Sequence, residues 1–264
     1  MPTTHAILGA TGGVGSAIVH SLLSSRSPED QHINLLVRSK QKLLAQIPRL
    51  KTPPSNTTLT IFEGTISDHD LLRSCLQNAD CIYQCISAPS PSKPTTISYD
   101  TVKSIIAALE AIKSTSPETY TPPTLLLNRS SALNPHLQVP ISTPFSHFLH
   151  FAIHNIYFDL SRAVDLLHST PASLLKYILL DAPNLFHPFS PETKTGYEVV
   201  TEGAMSLAVN YADFGDAVVE IAGRRGEFRG RGVGVSATGA VVPAWGPNLY
   251  LLAVGTWGRL NPFG

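Results

Sequence analysis

Three glycines spaced three residues apart, set between an apolar run and an amphipathic stretch, constrain this chain more than any other feature of it. His5–Leu8 reads as a short buried strand, and Ser16–Leu23 places Ala17, Ile18, Leu22 and Leu23 at helical intervals. Between them lies Gly9-Ala-Thr11-Gly12-Gly13-Val14-Gly15. A strand that turns this tightly into a helix aims free backbone N–H groups and a helix N-terminus at one point, which suits a pyrophosphate. Gly9 permits the exit from the strand, Gly12 lets a ligand approach the backbone, and Gly15 allows close helix–strand packing. The spacing is G-x-x-G-x-x-G, one residue longer in its first step than the common dinucleotide fingerprint.

Alternation of strands and helices continues along the chain. Ile33–Val37 reads as the second strand and runs into Arg38-Ser39-Lys40. The loop after this strand lies near the adenosine ribose in dinucleotide-binding folds, and no carboxylate stands there to accept from the ribose hydroxyls. Arg38, helped by Ser39 or Lys40, suits a ribose 2′-phosphate; the plainer alternative is a solvated basic loop. Pro48–Thr58 reads as a connection, Leu59–Glu63 as a strand, and Ser67 or Asp68 as the cap of the next helix. Further strands are expected at Cys81–Ile86, Thr124–Asn128, Lys176–Leu180 and Gly232–Ser236. Helices are expected at Val102–Ile112, Phe145–His168 and Ala212–Ile221. The pattern predicts an α/β, Rossmann-like, doubly wound parallel sheet. Residues 1–264 read as a single NAD(P)-binding domain, within which 184–264 shape a substrate pocket and cap. Ser87-Ala88-Pro89, at the end of the fourth strand, is expected beside the cofactor.

Composition narrows the partners. The 264 residues are 43% hydrophobic and 14% charged with no net charge, which excludes a disordered chain and offers no electrostatic basis for nucleic acid or an anionic membrane as partner. No secretory start and no run long enough to span a bilayer is evident, so a cytoplasmic protein is expected. Cys75, Cys81 and Cys85 read as reduced, buried thiols, and no metal site is expected.

With these elements placed, the chain resembles the short-chain dehydrogenase/reductase superfamily, in its atypical NmrA-like branch. The glycine turn carries most of the likeness; Leu35–Ser39, Gly64–Asp68, Ser130-Ser131 and Tyr157–Arg162 extend it. The resemblance implies NADP or NADPH as cofactor, with Asp68 near the adenine. It implies Tyr157 and Ser130 or Ser131 as the catalytic pair. In the family's Tyr-x-x-x-Lys motif a lysine binds the nicotinamide ribose and lowers the tyrosine pKa. Here that position is Ser161, which can donate a hydrogen bond to the cofactor but supplies no positive field. Arg162 stands about 100° further round the helix and does not simply replace it.

His147, His150 and His154 precede Tyr157 and Ser161 at steps of three and four, placing all five on one broad face of a continuous helix. His154 is expected to act as general acid or base and His150 to orient substrate, with a non-catalytic polar face as the alternative. Asn184, Phe186, His187, Phe189 and Tyr197 are expected to line an apolar pocket for a small organic substrate. The aromatic tail from Trp245 to Phe263 reads as a cover over the domain or a homodimer contact. The expected function is an NADP-dependent oxidoreductase acting on a small apolar carbonyl or conjugated metabolite in specialised metabolism. Two alternatives remain: a cofactor-dependent isomerase, cyclase or elimination enzyme, and a non-catalytic NmrA-like dinucleotide sensor.

Overall fold

A computed structural model describes residues 2–25, 29–187 and 193–261. The first half alternates as expected: β1 (Thr3–Leu8), α1 (Gly13–Ser24), β2 (Gln31–Val37), α2 (Lys40–Gln46), β3 (Thr57–Glu63), α3 (His69–Leu76), β4 (Cys81–Gln84), α4 (Ile97–Thr115) and β5 (Thr124–Ser130). Then follow β6 (Leu137–Gln138), α5 (Thr143–Ala152), α6 (His154–Ser169), β7 (Lys176–Ala182), β8 (Asn184–Phe186), β9 (Tyr197–Val200), β10 (Gly203–Ala204), β11 (Ala208–Asn210), α7 (Tyr211–Gly223), β12 (Gly232–Ala237) and α8 (Trp245–Leu260).

Among the described residues the main sheet runs β3-β2-β1-β4-β5-β7-β12-β9, parallel throughout except for β9, which pairs antiparallel with β12. Its central strands β1, β4, β5 and β7 are buried on both faces and therefore read as largely apolar runs, whereas the edge strands β3 and β9 are partly exposed. Successive residues serve opposite layers. Ile7, Tyr83 and Leu126 pack with Ile18, Phe214 and Val218 on the side of α1 and α7. Ala6, Leu8, Ile82, Leu125 and Leu127 pack with Leu72, Val102 and Ala163 on the side of α3, α4 and α6. This is the doubly wound architecture expected from the sequence. The chain leaves β1 in one direction towards β3 and resumes at β4 on the other side, so β1 and β4 flank the switch point at which such sheets bind ligands.

Two close packings fix the frame. Gly215 of α7 lies so near α1 that a Cβ there would stand 2.7 Å from the Ala17 carbonyl. Asp159 of α6 is 1% exposed and accepts hydrogen bonds from the Ser98 and Tyr99 amides at 2.7 and 3.1 Å. The cap residue of α4, Thr96, makes no side-chain cap bond, so α6 supplies from outside the anion that this helix N-terminus needs.

The structure corrects several expectations. Phe145–His168 is not one helix: it breaks at Ile153 (φ −103°, ψ 15°) into α5 and α6. The strand expected to Ile86 ends at Gln84, and β5 instead continues through Arg129 to Ser130. The C-terminal third is more than a cap, because β12 and β9 extend the sheet and α7 packs against α1. The aromatic tail is a helix, α8, lying along α5. Among the described residues, no helix is long and apolar enough to cross a membrane.

Candidate functional site

The glycine turn sits at the switch point. Gly9 adopts φ +93°, and a Cβ there would press on the Cys85 carbonyl at 3.0 Å, so this backbone conformation and this approach both require glycine. At Gly15 a Cβ would overlap the Gly9 carbonyl oxygen. Gly12 caps α1 without any side-chain bond, and the first turn of the helix holds no carboxylate. The opening N–H groups of α1 are thus left facing a ligand of negative charge. Thr11 is half-buried in the same turn, and its carbonyl accepts from Gln46 Nε2 at 3.3 Å.

A cavity of about 420 Å³ begins at Gly12, Gly13 and Val14 and extends along the strand ends past Ser87, Asn128, Ser130 and Ser131 to Tyr157. Its glycine-lined end, at the first turn of α1, suits a pyrophosphate, and its other end reaches Tyr157. Tyr157 is 8% exposed, and its hydroxyl lies 3.0 Å from Ser130 Oγ. Burial raises the phenol pKa above its ordinary value, and the Ser130 hydrogen bond opposes that only in part. Ser131 is buried beside it on the cavity wall. Behind the pair, Arg129 donates to Asp181 at 2.5 and 2.8 Å, and Asn134 adds a third bond to the same carboxylate. Burial nevertheless pushes the Asp181 carboxyl up, with Arg129 pulling against it.

Other expected site residues fall elsewhere. His154 opens α6 on its exposed side, where its ring stacks on Phe158 at 6.0 Å; it does not reach the cavity. Ser161 is likewise exposed on the outer side of α6 and does not line the cavity, so it is not placed to bond the cofactor. His150 contacts the Tyr157 ring edge-on at 5.2 Å but is not part of the cavity wall. Arg162 lies 4.2 Å over the Tyr99 ring, away from the position a family lysine would take. Asn184 lines the cavity, its Nδ2 donating to the Leu207 carbonyl. Phe186 is buried edge-on against Trp245, which in turn forms the cavity wall, so its effect on substrate is indirect. His187 bonds the Val242 carbonyl instead of facing the cavity. Tyr197 is on the edge strand β9, where its hydroxyl donates to Glu220. Phe189 lies outside the described residues.

At the adenosine end, Arg38 is exposed where β2 ends. Ser39 is committed to capping α2 through the Lys42 amide, and the Lys40 amide donates to Glu63. Asp68 caps α3 by accepting from the Leu71 amide. Ser87 lines the cavity; Ala88 and Pro89 do not.

Sequence reasoning placed the aromatic tail as a cover but did not identify its partner in the roof of the site, and it left Tyr211 unmarked. Phe145 and Leu149 of α5 and Trp245, Asn248 and Leu252 of α8 close the apolar end, and Tyr211 at the start of α7 stands over the glycine turn. A helical period was visible for α5, but nothing in sequence tied α8 to it.

Residues 9–224 match the family described as NAD(P)H-binding. The chain is 37% identical to averufin oxidase A of Aspergillus flavus, over 98% of this chain and 91% of that protein. It is 36% identical to an averufin oxidase of Emericella nidulans, over 99% of this chain and 91% of the relative. Among solved structures, a short-chain dehydrogenase/reductase of Veillonella parvula in complex with NADP superposes with a TM-score of 0.65 at 22% identity, covering 92% of this chain and 100% of the other. At that identity the superposition establishes the shared fold.

Proposed function

The chain belongs to the NAD(P)H-binding family, as an NmrA-like, short-chain-dehydrogenase-like NADP(H)-dependent oxidoreductase of specialised metabolism, and from that premise we propose that it reduces an aromatic, largely apolar metabolite in the cavity beneath α5 and α8. The observation that carries this reading is the Ser130–Tyr157 pair, 3.0 Å apart, on the wall of a cavity that starts at the glycine turn. The opening amides of α1 hold the pyrophosphate, and Arg38 contacts the 2′-phosphate. When bound, the reduced nicotinamide supplies a hydride to the substrate.

The remaining steps fall to side chains. The Ser130 hydroxyl hydrogen-bonds the substrate oxygen and holds it against Tyr157. The Tyr157 hydroxyl gives its proton to that oxygen as negative charge develops there, and solvent at the cavity mouth reprotonates the phenol. Burial favours this direction. A phenol held above its ordinary pKa, with no lysine beside it, is a competent acid and a poor base near neutrality. The aromatic roof, Phe145 and Trp245, excludes water and stacks on a planar substrate. A small-molecule partner and a cytoplasmic place of action complete the reading, and the balanced charge supports no nucleic-acid partner.

Averufin is the first substrate to try, because relatives spanning nearly the whole chain are named for it. Purified protein is incubated with averufin and related aromatic metabolites, with NADPH or with NADP⁺, while nicotinamide absorbance and product mass are followed. Substrate-dependent consumption of NADPH is expected, with oxidation by NADP⁺ slower and rising with pH. Product formation without any change in nicotinamide redox state would refute the reading and favour an isomerase or elimination enzyme. Arg38→Ala is expected to weaken NADPH by about tenfold while leaving NADH nearly unchanged. Equal weakening of both would remove Arg38 from the 2′-phosphate.

A further inference from the structure

The residue that follows β11 occupies a position that the catalytic reading leaves unused. Tyr211 is the first residue of α7, and its ring lies against the glycine turn: a Cβ on Gly13 would stand 2.6 Å from Cε1, 2.8 Å from Cζ and 3.1 Å from the hydroxyl oxygen. One turn further along both helices, Gly215 meets Ala17 with equal closeness. The pairs 13/211 and 17/215 have the same spacing, so α1 and α7 are keyed together over a full turn. The backbone that carries the ring is therefore held beside the loop by the packing of the two helices.

Tyr211 also lines the cavity, at the end where Gly12, Gly13 and Val14 present the amides of α1. Its ring carbon edge is spent on Gly13, while no hydrogen bond of its hydroxyl occurs among the described residues. A half-buried phenol with no protein partner among the described residues, beside a helix N-terminus, is in place to donate to an anion. Desolvation raises the Tyr211 pKa, which keeps the proton on the oxygen at neutral pH.

We propose that Tyr211 is a diphosphate clamp: its hydroxyl donates to a pyrophosphate oxygen of the dinucleotide from the side opposite the α1 amides. This rests on the cofactor reading above and extends it to a residue outside the glycine turn. The clamp acts on the group that NADPH and NADH share, so it strengthens both without selecting between them. It also makes the seating of the cofactor depend on how α7 sits against α1.

The test is Tyr211→Phe, which retains the ring on Gly13 and removes only the hydroxyl. Fluorescence titration with NADPH, NADH and 2′-AMP separates the phosphate groups, since 2′-AMP lacks the diphosphate. Expected is a loss of roughly ten- to a hundredfold for NADPH and NADH alike, with 2′-AMP unchanged and the melting temperature of the apoprotein preserved. Wild-type affinity for both dinucleotides in the variant would overturn the clamp. So would an equal loss for 2′-AMP, which would mark a general disturbance of the fold. Failure of the wild-type protein to bind either dinucleotide would overturn the cofactor reading itself and the clamp with it, a result distinct from failure of the variant comparison alone.

Discussion

Asp159→Asn tests whether α6 holds α4, and through it the site, by a cap supplied across the helix interface. The carboxylate is buried and uses one oxygen for each of two amides, Ser98 at 2.7 Å and Tyr99 at 3.1 Å. Asparagine keeps one acceptor and turns an N–H₂ group towards the other amide. One hydrogen bond to a charged group is lost, at about 1.5–3 kcal/mol, and with it the anion at a helix N-terminus, at about 0.3–1 kcal/mol. The sum, roughly 2–4 kcal/mol, lowers the melting temperature of a domain of this size by about 5–15 °C. Function should fall as well, because Tyr157 lies two residues before Asp159 on α6 and Ser98 lines the cavity. At a temperature where the variant is folded, kcat is expected to drop by up to about a hundredfold from misplacement of the phenol, while NADPH affinity holds. Differential scanning calorimetry and steady-state kinetics read the two effects, with Asp165→Asn, exposed on the same helix, as the control. A melting temperature within about 1 °C of wild type would refute the cap, since loss of the charged hydrogen bond alone, at its lower bound of about 1.5 kcal/mol, lowers it by about 3–6 °C. A large melting shift with unchanged kcat would refute the link to Tyr157.

Other expectations concern the site and the core. Tyr157→Phe should reduce kcat by about 10²–10⁴ with NADPH binding retained, and the wild-type rate of reduction should stay level through neutral pH, falling only at alkaline pH where the raised phenol ionises; an unchanged rate in the variant would exclude Tyr157 as the acid. His5 is buried against the Tyr83 hydroxyl at 2.9 Å and its pKa is lowered by burial from 6.5 to about 4. A base depressed in the folded state contributes stability present above the ordinary value and lost as pH falls through the folded one. Urea titrations should therefore show wild type losing roughly 3 kcal/mol more than His5→Gln between pH 6.5 and 4, whereas parallel pH profiles would contradict this account. Gly232→Ala would overlap the Asp181 carboxylate and stand 2.6 Å from Asn134 Nδ2 and 2.8 Å from Arg129 Nη2. A loss of about 1–3 kcal/mol in chemical denaturation is expected, and a variant as stable as wild type would show the network to be pliant.

The parts of the molecule that were readable in advance are those in which one local rule decides the structure. The glycine turn, the apolar strands and the Asp68 cap follow from spacing and from the strand–helix alternation, while the pairing of Tyr157 with Ser130 or Ser131 came from the family resemblance. The break at Ile153 left no such mark: neither proline nor glycine stands there, and α5 resumes its period in α6 after a small rotation. His154, Tyr157 and Ser161 all lie in α6, so the break shifts only His147 and His150 relative to them; His154 and Ser161 are exposed because Tyr157 stands at the edge of the buried face of α6, which runs through Leu160, Ala163 and Val164. Helix α8 went unassigned for the opposite reason. Gly246, Gly255 and Gly258 suggest an irregular tail, but a Cβ at Gly255 would overlap the Ala152 carbonyl oxygen and one at Gly258 the Ser92 carbonyl oxygen. Tertiary packing demanded glycine where helix propensity disfavours it. Tyr211 was passed over because its importance depends on a contact with Gly13 across almost two hundred residues of chain.

The glycines of α8 also bear on how such a protein changes over generations. In the reading proposed above, electron handling belongs to the floor, in the turn after β1, the end of β5 and the first turns of α6 and α7. What is admitted is decided overhead, by α5 and α8, which carry Phe145, Leu149, Trp245 and Leu252. A lineage can exchange the overhead side chains and so acquire a new diet of metabolites while inheriting its redox equipment intact. Gly255 and Gly258 limit that freedom: any replacement helix must keep two bare positions where it rests on Ala152 and Ser92, or it will not lie down on the site at all.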